Sequence, residues 1–303
     1  VGPFGGAMDQ YDEVLQRALD ARGVTVLLGG LDTGKTTFAR RIASAGVDAG
    51  LRVAVVDADC GQSTIGPPGT VGLRLIRSHA DLEPESLAKP DALAFVGSTS
   101  PQGHLLQLVA GTRVILDRAR AEGPDVVVVD TTGLVSGVYG QVLKYNKLAV
   151  VAPDIVVGLS RGEELEPLLG VARRFFAAEI VSLRVHPDVA PTSVEQRATN
   201  REEAMRRYFS GQLQRWRVKS TVFMPSLPTL FDLSALDRIL AGLSDGKGTC
   251  IGVGHLEYVE GEGALRLISP VPEAPRALIL GSVRLDEAFR ARRVDLRNLF
   301  GSD

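Results

Sequence analysis

The sequence predicts an α/β fold, in which a doubly wound, mainly parallel sheet is followed by a small β-rich C-terminal domain. Runs of almost exclusively apolar residues alternate with segments of helical periodicity between residues 24 and 185. This alternation is typical of a parallel sheet that is covered on both faces. A glycine-rich loop follows the first apolar run, and short strands separated by turns replace the alternation after Arg215. These observations together predict the fold class.

Periodicity locates the individual elements. The predicted strands of the sheet are 24–28, 52–57, 92–96, 125–130, 155–159 and 180–185. The predicted helices are 9–21, 35–49, 102–121, 138–150 and 163–178. Segment 59–73 is predicted to be a loop, because DCGQSTIGPPGTVGL contains more glycine and proline than a regular element tolerates. In the C-terminal part we expect strands at 218–224, 249–258, 264–269 and 277–280, with a short helix near 233–243.

Changes in the pattern divide the chain into three predicted parts. Residues 1–23 are a lead-in, VGPFGGAM, followed by a helix, with Met8 as the expected start. Residues 24–214 form the phosphate-binding domain, which ends in a polar, arginine-rich helical stretch near 192–211. Residues 215–303 form the β-rich domain.

Composition limits the classes of function. Of 303 residues, 34 are Lys or Arg and 36 are Asp or Glu, which gives a formal net charge of −2. A nucleic acid would therefore have to bind to a local basic patch rather than to the overall charge. The two cysteines, Cys60 and Cys250, are too few and too far apart for a disulfide framework, so we expect a reducing, cytoplasmic location. No apolar run has the length of a membrane span, and we expect no membrane association.

The glycine-rich loop has the spacing of a phosphate-binding loop. The segment VTVLLGGLDTGKTT fits G-x-x-x-x-G-K-[ST] between an apolar strand and a helix, which is typical of P-loop nucleotide triphosphatases and kinases. Its glycines allow several N–H groups to point at one anion, which the positive end of the following helix also attracts. We expect ATP and Mg²⁺ as ligands, with Lys35 on the phosphates and the Thr36 hydroxyl on the metal. The expected nucleotide-binding residues are Gly29, Asp32, Thr33, Gly34, Lys35, Thr36 and Thr37.

Three aspartates end or follow the buried strands. Asp57 and Asp59 lie two residues apart in VVDADCGQ, so that an extended backbone places them on one face. Asp130 ends the run VVVVD. Carboxylates at such positions hold Mg²⁺ or take a proton from an acceptor hydroxyl, although one of them could instead cap a turn. The predicted metal ligands are Thr36, Asp57, Asp59 and Asp130.

Three further segments, together with the P-loop, carry a family resemblance. DADCGQSTIGPPGTVGL resembles the D-x-D-x-G-Q…P-P-G-x-V segment of the polynucleotide 5′-hydroxyl kinases of the RNA-processing type. FVGSTSPQGHL resembles their F-x-G-x-T-S-P element, and DTTGLVSGVYGQVL resembles their N-T-x-G-W-V-x-G segment. The resemblance extends from the P-loop to about Gly211. It implies a P-loop NTPase-type sheet and, because the P-loop begins near residue 29, a prokaryotic-like form without the N-terminal β domain of the family.

The resemblance also implies residue roles. Asp59 would activate the acceptor hydroxyl, Thr132 and Gly133 would form a clasp, and two arginines would close as a lid over the transferred phosphoryl group. The implied catalytic residues are Lys35, Asp59, Arg197 and Arg201, and the implied substrate-binding residues are Gln62, Thr99, Ser100, Thr132 and Gly133. Arg197 and Arg201 lie four residues apart, on one helix face, which could alternatively be a solvated face of mixed charge.

The sequence departs from the family at the clasp. Leu134 stands where the family often has tryptophan, so the base stacking that tryptophan could provide is missing there. A basic stretch, interleaved with aromatic residues that could be either stacking platforms or core, could bind the acceptor backbone. It consists of Arg206, Arg207, Tyr208, Phe209, Arg215, Trp216, Arg217 and Lys219.

The function that these features predict is an ATP-dependent polynucleotide 5′-hydroxyl kinase, a phosphotransferase acting on the 5′-OH ends of RNA and/or DNA. Two alternatives stay open. DTTG at residues 130–133 also fits the D-x-x-G of nucleotide-driven switch or assembly ATPases and GTPases, although Asn146-Lys147 does not continue into N-K-x-D. A kinase of a small hydroxylated metabolite would need the same loop and carboxylates. The sequence identifies no protein partner.

Overall fold

The computed structural model describes residues 10–228 and 231–300, so the predicted lead-in with Met8 lies outside the described residues. The chain forms two compact units, each discontinuous in sequence. The first unit comprises residues up to Asp59, Leu73–Asp91 and Thr112–Thr192. The second unit comprises Cys60–Gly72, Ala92–Gly111 and the residues from Ser193 onward. The division into domains at residues 23 and 214 stays a prediction.

The strands and helices predicted between residues 24 and 185 occur in the predicted order, with an additional strand, Thr70–Ile76, and a short additional helix, Pro84–Leu87. The strands are β1 (Val24–Gly29), β2 (Val53–Ala58), β3 (Thr70–Ile76), β4 (Ala92–Phe95), β5 (Val126–Thr131), β6 (Ile155–Ser160), β7 (Glu179–Arg184), β8 (Gln214–Val218), β9 (Phe223–Met224), β10 (Ile239–Ser244), β11 (Cys250–Val259), β12 (Ala264–Ser269), β13 (Ala277–Leu285) and β14 (Ala291–Arg293). The α-helices are α1 (Gln10–Asp20), α2 (Lys35–Asp48), α3 (Pro84–Leu87), α4 (Leu105–Ala121), α5 (Gly137–Val151), α6 (Glu166–Phe175), α7 (Val194–Tyr208) and α8 (Leu296–Phe300).

The first unit contains a parallel sheet in the order β2-β5-β1-β6-β7. Every residue of β1, β2, β5 and β6 is buried, which is why these strands read as continuous apolar runs. Helices α1 and α2 pack on the sheet through a core that includes Leu27, Phe38, Ile42, Val128 and Val157. Each such side chain contributes roughly 1.5–3 kcal/mol by its burial. The predicted α/β class with a P-loop-type sheet is confirmed.

The second unit contains the antiparallel strands of the C-terminal region, in the order β8-β12-β11-β10-β13-β14. The short β9 runs parallel to β13, and β4 pairs with β11 at Cys250. Helix α7 is attached to this unit by Met205 and Phe209, which are buried with Leu240 and Val253 in one core cluster.

Four sequence-based expectations are corrected. The predicted loop 59–73 ends earlier, because β3 already begins at Thr70. Gly72 in this strand lies close to the Ile65 backbone, since a Cβ at position 72 would lie 2.2 Å from the Ile65 carbonyl oxygen. This glycine is therefore required for packing and does not interrupt the strand.

The helix predicted near 233–243 is instead a 3₁₀ turn, Leu233–Leu236, followed by β10. Asp232 caps the turn by accepting a hydrogen bond from the Ser234 N–H. The apolar run of β10 is buried because this strand lies between β11 and β13, and a short buried run does not distinguish strand from helix by periodicity.

The strand predicted at 218–224 is also wrong. A 3₁₀ turn, Ser220–Val222, separates β8 from the two-residue β9. In β8, exposed Arg215 and Arg217 alternate with the half-buried Trp216, which is the pattern of an edge strand with one face on the core.

For Tyr208 and Phe209, which could be either stacking platforms or core, the core interpretation is the correct one. Phe209 is buried, and the Tyr208 hydroxyl accepts a hydrogen bond of 3.0 Å from the Val253 N–H. The stacking role of the half-buried Trp216 stays a prediction. No helix within residues 10–228 or 231–300 is both long and apolar enough to cross a membrane.

Candidate active site

The P-loop connects β1 to α2 by a turn with two left-handed backbone positions. Asp32 has φ 53° and Gly34 has φ 83°. Gly34 is the N-cap of α2 and has no side chain to cap the helix, so the first N–H groups of α2 point outward and can bind an anion. A Cβ at Gly29 would lie 2.4 Å from Thr33 Oγ1, so the opening glycine of the motif is a steric requirement.

Contacts within the first unit fix the shape of this loop. Thr33 Oγ1 donates to the Gly30 carbonyl at 3.2 Å, and Asp32 Oδ2 accepts from the Thr192 N–H at 3.0 Å. Arg161 donates to the Asp32 carbonyl oxygen at 2.8 Å. The loop is therefore held in shape by protein contacts, and the nucleotide-binding roles of Asp32, Thr33 and Thr37 stay predictions.

Lys35 is buried, and its ammonium group lies within the loop. Its Nζ donates to the Gly30 carbonyl at 2.5 Å. Burial lowers the pKa of Lys35, whereas the negative charges of Asp130, Asp59 and Asp32 act in the opposite direction. A cation and several carboxylates thus share one small region at the carboxyl edge of the sheet.

Thr36 and Asp130 form the next part of this region. Thr36 Oγ1 donates to Asp130 Oδ2 at 2.5 Å. Asp130 is buried, and this burial raises its pKa against the opposing effect of Lys35 and Thr36. Among the described residues, Asp130 Oδ1 and Thr132 Oγ1 belong to the few buried side-chain atoms without a hydrogen-bond partner. Hydroxyl and carboxylate oxygens with unused lone pairs fit Mg²⁺, which prefers oxygen ligands.

The two aspartates of β2 and its following loop have different environments. The register of the parallel pair β2–β5 places Asp57 beside Asp130. Asp57 is buried, and its Oδ1 accepts the Asp59 N–H at 3.0 Å. Asp57 therefore does form the local turn contact that the sequence left open as an alternative, and it also orients the backbone of Asp59. The metal-binding roles of Asp57, Asp59 and Asp130 stay predictions.

The predicted clasp packs against the P-loop within the first unit. A Cβ at Gly133 would lie 2.5 Å from Leu31 Cδ2 and 2.8 Å from the Leu31 backbone nitrogen. Thr132 is buried beside it, and Leu134 is half-buried. Glycine at position 133 is thus required by its close contact with the P-loop residue Leu31.

The remaining predicted residues belong to the second unit. Arg197 and Arg201 lie four residues apart on α7, and both are partly buried. Gln62 Nε2 donates to the Arg197 carbonyl oxygen at 3.2 Å, so the Gly-Gln loop and the arginine-bearing helix are in contact. The Ser100 N–H donates to Ser98 Oγ at 3.1 Å, within the turn that also contains Thr99. The substrate and lid roles of these residues stay predictions.

Two buried lysines were missed by the sequence analysis. Lys144 and Lys147 of α5 are 0% and 1% exposed. A signal was present, because both occupy the buried stripe of the helix, whose members recur every three or four residues. This stripe consists of Gly140, Leu143, Lys144, Lys147, Leu148 and Val151.

A cavity of about 450 Å³ adjoins the P-loop in the first unit. Thr33, Gly34 and Thr37 line it. Leu159 in β6 also lines it, together with His186 and Val189, which follow the carboxyl end of β7. Its size and partly apolar lining are typical of sites for small organic ligands.

Residues 29–211 match the family model described as the mRNA cleavage and polyadenylation factor CLP1 P-loop. The chain belongs to this family. The CLP1 P-loop family model covers the P-loop, the carboxylate-bearing strand ends and α7, which are the segments that the motif resemblance indicated.

Curated relatives extend over most of the chain. A polyribonucleotide 5′-hydroxyl-kinase of Methanocaldococcus jannaschii is 28% identical over 86% of this chain and 87% of its own length. One from Pyrococcus horikoshii is 28% identical over 84% of this chain and 83% of its own length. The polyribonucleotide 5′-hydroxyl-kinase Clp1 of Xenopus tropicalis is 28% identical, over 63% of this chain and 45% of its own length.

Among solved structures, the chain is similar to one in the wild-type Clp1p–Pcf11p complex. The TM-score is 0.71 at 14% identity, and the match covers 92% of this chain and 79% of the other. At this level of identity the likeness concerns the fold. It agrees with a P-loop-type α/β sheet and an antiparallel C-terminal region.

Proposed function

We propose that this chain is an ATP-dependent polynucleotide 5′-hydroxyl kinase that transfers the γ-phosphoryl group of ATP to the 5′-hydroxyl of RNA. The family and the names of the archaeal relatives support this function. The observation that carries it is the arrangement at one edge of the sheet, where the Lys35 ammonium group lies within the P-loop and the adjacent Thr36 hydroxyl is hydrogen-bonded to Asp130. A phosphoryl-transfer site needs such a phosphate-binding cation beside carboxylates.

In the reaction, Asp59 accepts the proton of the 5′-hydroxyl as its oxygen attacks the γ-phosphorus of ATP. A new O–P bond forms, the bond between the γ-phosphorus and the β,γ-bridging oxygen breaks, and ADP leaves. The hydrogen bond from the Asp59 N–H to Asp57 supports this role, because it holds the segment that would carry the base. Positioning and charge stabilisation supply most of the catalysis in this class of reaction.

Lys35 and the N–H groups at the start of α2 bind the phosphates and stabilise the charge on the transferred group. Mg²⁺, which Thr36, Asp57, Asp59 and Asp130 would hold, neutralises phosphate charge when bound. The hydrogen bond between Thr36 and Asp130 supports this ligand set, since it brings a hydroxyl and a carboxylate oxygen together.

Further roles are proposed for residues of the second unit by itself. We assign Arg197 and Arg201 as lid residues whose guanidinium groups bind phosphate oxygens, and Gln62 with the Thr99-Ser100 pair as acceptor contacts. Their spacing on α7 and the hydrogen bond from Gln62 to the Arg197 carbonyl support a common task. Thr132 and Gly133, in the first unit, form the clasp.

The nucleoside part of ATP is proposed to occupy the cavity beside Gly34 and Thr37. This cavity begins at the P-loop and continues past Leu159 and His186, so a nucleotide whose phosphates lie on the loop could extend into it. We further propose that the protein acts in the cytoplasm, since Cys60 and Cys250 are both free thiols.

The proposal is tested with γ-labelled ATP, Mg²⁺ and matched oligonucleotides. RNA and DNA of one sequence are each supplied with a 5′-hydroxyl or a 5′-phosphate. We expect label on 5′-hydroxyl RNA, little or none on the 5′-phosphorylated controls, and a preference for RNA over DNA.

Release of the label as free phosphate, at a rate that does not respond to any oligonucleotide, would contradict the proposal. That result would favour the nucleotide-driven switch ATPase. Label on a small hydroxylated compound, with none on either nucleic acid, would favour a metabolite kinase.

A further inference from the structure

Helix α5 places two lysines against the sheet of the first unit. Lys144 and Lys147 are fully buried in a helix stripe whose other members are small or apolar. A leucine would fill such a position without loss of hydration, whereas a buried ammonium group is costly unless charges and acceptors compensate it. Two adjacent buried ammonium groups also repel each other. Burial lowers the pKa of Lys144 most, and the positive charges of Lys147 and Lys35 lower it further.

Both ammonium groups make contacts at strand ends. Lys144 Nζ donates to Thr131 Oγ1 at 2.7 Å and to the Thr132 carbonyl oxygen, directly after Asp130 on β5. Lys147 Nζ donates to the Ala58 carbonyl oxygen at 2.7 Å. Ala58 is the residue between Asp57 and Asp59. The two lysines therefore hold the two segments that carry the carboxylates of the proposed site.

The charges provide a second reason for lysine at position 144. Asp59 and Asp130 interact electrostatically with Lys144, as they do with Lys35. With Lys35 as the sole cation, the three strand-end carboxylates would leave this edge negative and would repel a polyphosphate. Lys144 lies near enough to Asp59 and Asp130 for their negative charges to favour its protonated form. Because Lys144 is buried, salt in the solvent screens its charge little.

We propose that Lys144 and Lys147 are positioning residues of the phosphoryl-transfer site, which fix the carboxylate-bearing ends of β2 and β5 and compensate their charge so that a nucleoside polyphosphate can bind. This inference rests on the proposed function for the identity of the ligand. The two lysines act through Asp57, Asp59, Asp130 and the clasp backbone.

The test measures the binding of ADP in the presence of EDTA, by calorimetry, to the full chain and to Lys144→Met and Lys147→Met. Methionine keeps the length of the side chain and removes its charge. Lys89→Met is the matched control, because Lys89 is an exposed lysine of the first unit. We expect each buried variant to bind ADP at least tenfold more weakly, and Lys89→Met to bind it as the wild type does.

A double variant separates charge compensation from simple packing. Asp57→Asn keeps an oxygen that can accept the Asp59 N–H while it removes one negative charge. In the Lys147→Met background it should restore several-fold of the lost ADP affinity, whereas a purely structural role of Lys147 predicts no restoration. If circular dichroism shows that a methionine variant is unfolded, the glutamine variant at the same position, Lys144→Gln or Lys147→Gln, replaces it. Glutamine keeps a hydrogen-bond donor without the charge.

Unchanged ADP affinity in folded variants at both positions, or no restoration by Asp57→Asn, would overturn the inference. The proposed function is tested independently of this inference, because ADP binding does not require a phosphate acceptor. If the oligonucleotide assay finds no transfer but the lysine variants lose ADP affinity, the positioning role stands and the kinase assignment falls.

Discussion

Asp57 and Asp59 are close in sequence but lie in different surroundings. Asp57 is buried in β2, beside Asp130 in the neighbouring strand, and accepts a hydrogen bond from the Asp59 backbone. Asp59 follows the strand end, where the chain leaves the sheet. A buried carboxylate with a fixed local partner, such as Asp57, suits a structural or metal-binding role. Asp59 is the better candidate for the base.

We therefore expect Asp59→Asn to lower the turnover number by about 10²–10⁴-fold, because an amide cannot accept the proton of the attacking hydroxyl. Nucleotide affinity should change much less, since Lys35 and the α2 N-terminus remain. Steady-state kinetics with 5′-hydroxyl RNA, together with ADP binding, measures both effects. Asp117→Asn, at an exposed carboxylate of α4, is the control and should behave as the wild type does. Wild-type turnover in Asp59→Asn would remove Asp59 as the base.

The P-loop could be identified from the sequence, because its glycines, lysine and threonine occupy the spacing that phosphate binding requires. Lys144 and Lys147 could not be assigned in the same way. On a helix read alone, a lysine is most simply a solvated residue, and only the packing of α5 on β2 and β5 reveals that both ammonium groups are buried. Their positions in the apolar stripe were the available signal.

At the scale of elements, the clasp and the P-loop depend on each other through a glycine contact. Gly133→Ala would place a Cβ 2.8 Å from the Leu31 backbone nitrogen, and the loop would have to move. We expect the KM for ATP to rise about tenfold while the fold is retained. Gly170→Ala, in the helix α6 with open space around the glycine, is the matched control. It should leave KM unchanged and stabilise the protein by up to about 1 kcal/mol. An unchanged KM in a folded Gly133→Ala variant would show that the contact does not position the loop.

Tyr208 connects α7 to β11 in the second unit, and its contact predicts a pH dependence. Burial raises the pKa of Tyr208 to about 12 from an ordinary value of 10. In the unfolded chain the phenol ionises near pH 10, whereas in the folded chain it keeps its proton. Its stabilising contribution is therefore fully present below pH 10 and is lost between about pH 10 and pH 12.

Tyr208→Phe removes this contribution together with the hydrogen bond to Val253. We expect the free energy of unfolding to fall by about 1–2 kcal/mol at pH 8. The difference from the wild type should shrink by about 1 kcal/mol at pH 11, as one pKa unit corresponds to 1.36 kcal/mol. Urea titrations at both pH values measure it, with Tyr139→Phe, at an exposed tyrosine, as the control. A difference that stays constant with pH would contradict the assignment.

The elements that the sequence predicted well are those with a single dominant period. The strands β1, β2, β5 and β6 are buried on both faces and read as unbroken apolar runs. In the C-terminal region, the central strand β10 also reads as a short apolar run, but there the turn chemistry at Asp232 was needed to separate a 3₁₀ turn from a helix. The strand β3 was hidden by its glycine, whose role is a close contact with Ile65.

At the scale of the whole molecule, the two units are interleaved along the chain. Cys60–Gly72 and Ala92–Gly111 belong to the second unit although the segments around them belong to the first. A change of composition along a sequence indicates a boundary between two continuous segments. It does not reveal that a unit is built from several separate segments of the chain. This is why the sequence suggested boundaries near residues 23 and 214 and gave no sign that Cys60–Gly72 and Ala92–Gly111 belong to the second unit.

The central claim is that the full chain moves a phosphoryl group from ATP to the terminal 5′-hydroxyl of RNA through the site around Lys35. The most direct measurement locates the transferred label. RNA incubated with γ-labelled ATP is digested to 5′-mononucleotides, with wild-type protein and with Lys35→Ala. We expect the label in the 5′-terminal nucleotide alone, and none with Lys35→Ala protein that still has the wild-type circular dichroism spectrum. Equal labelling by folded Lys35→Ala, or label elsewhere in the RNA, would contradict the claim.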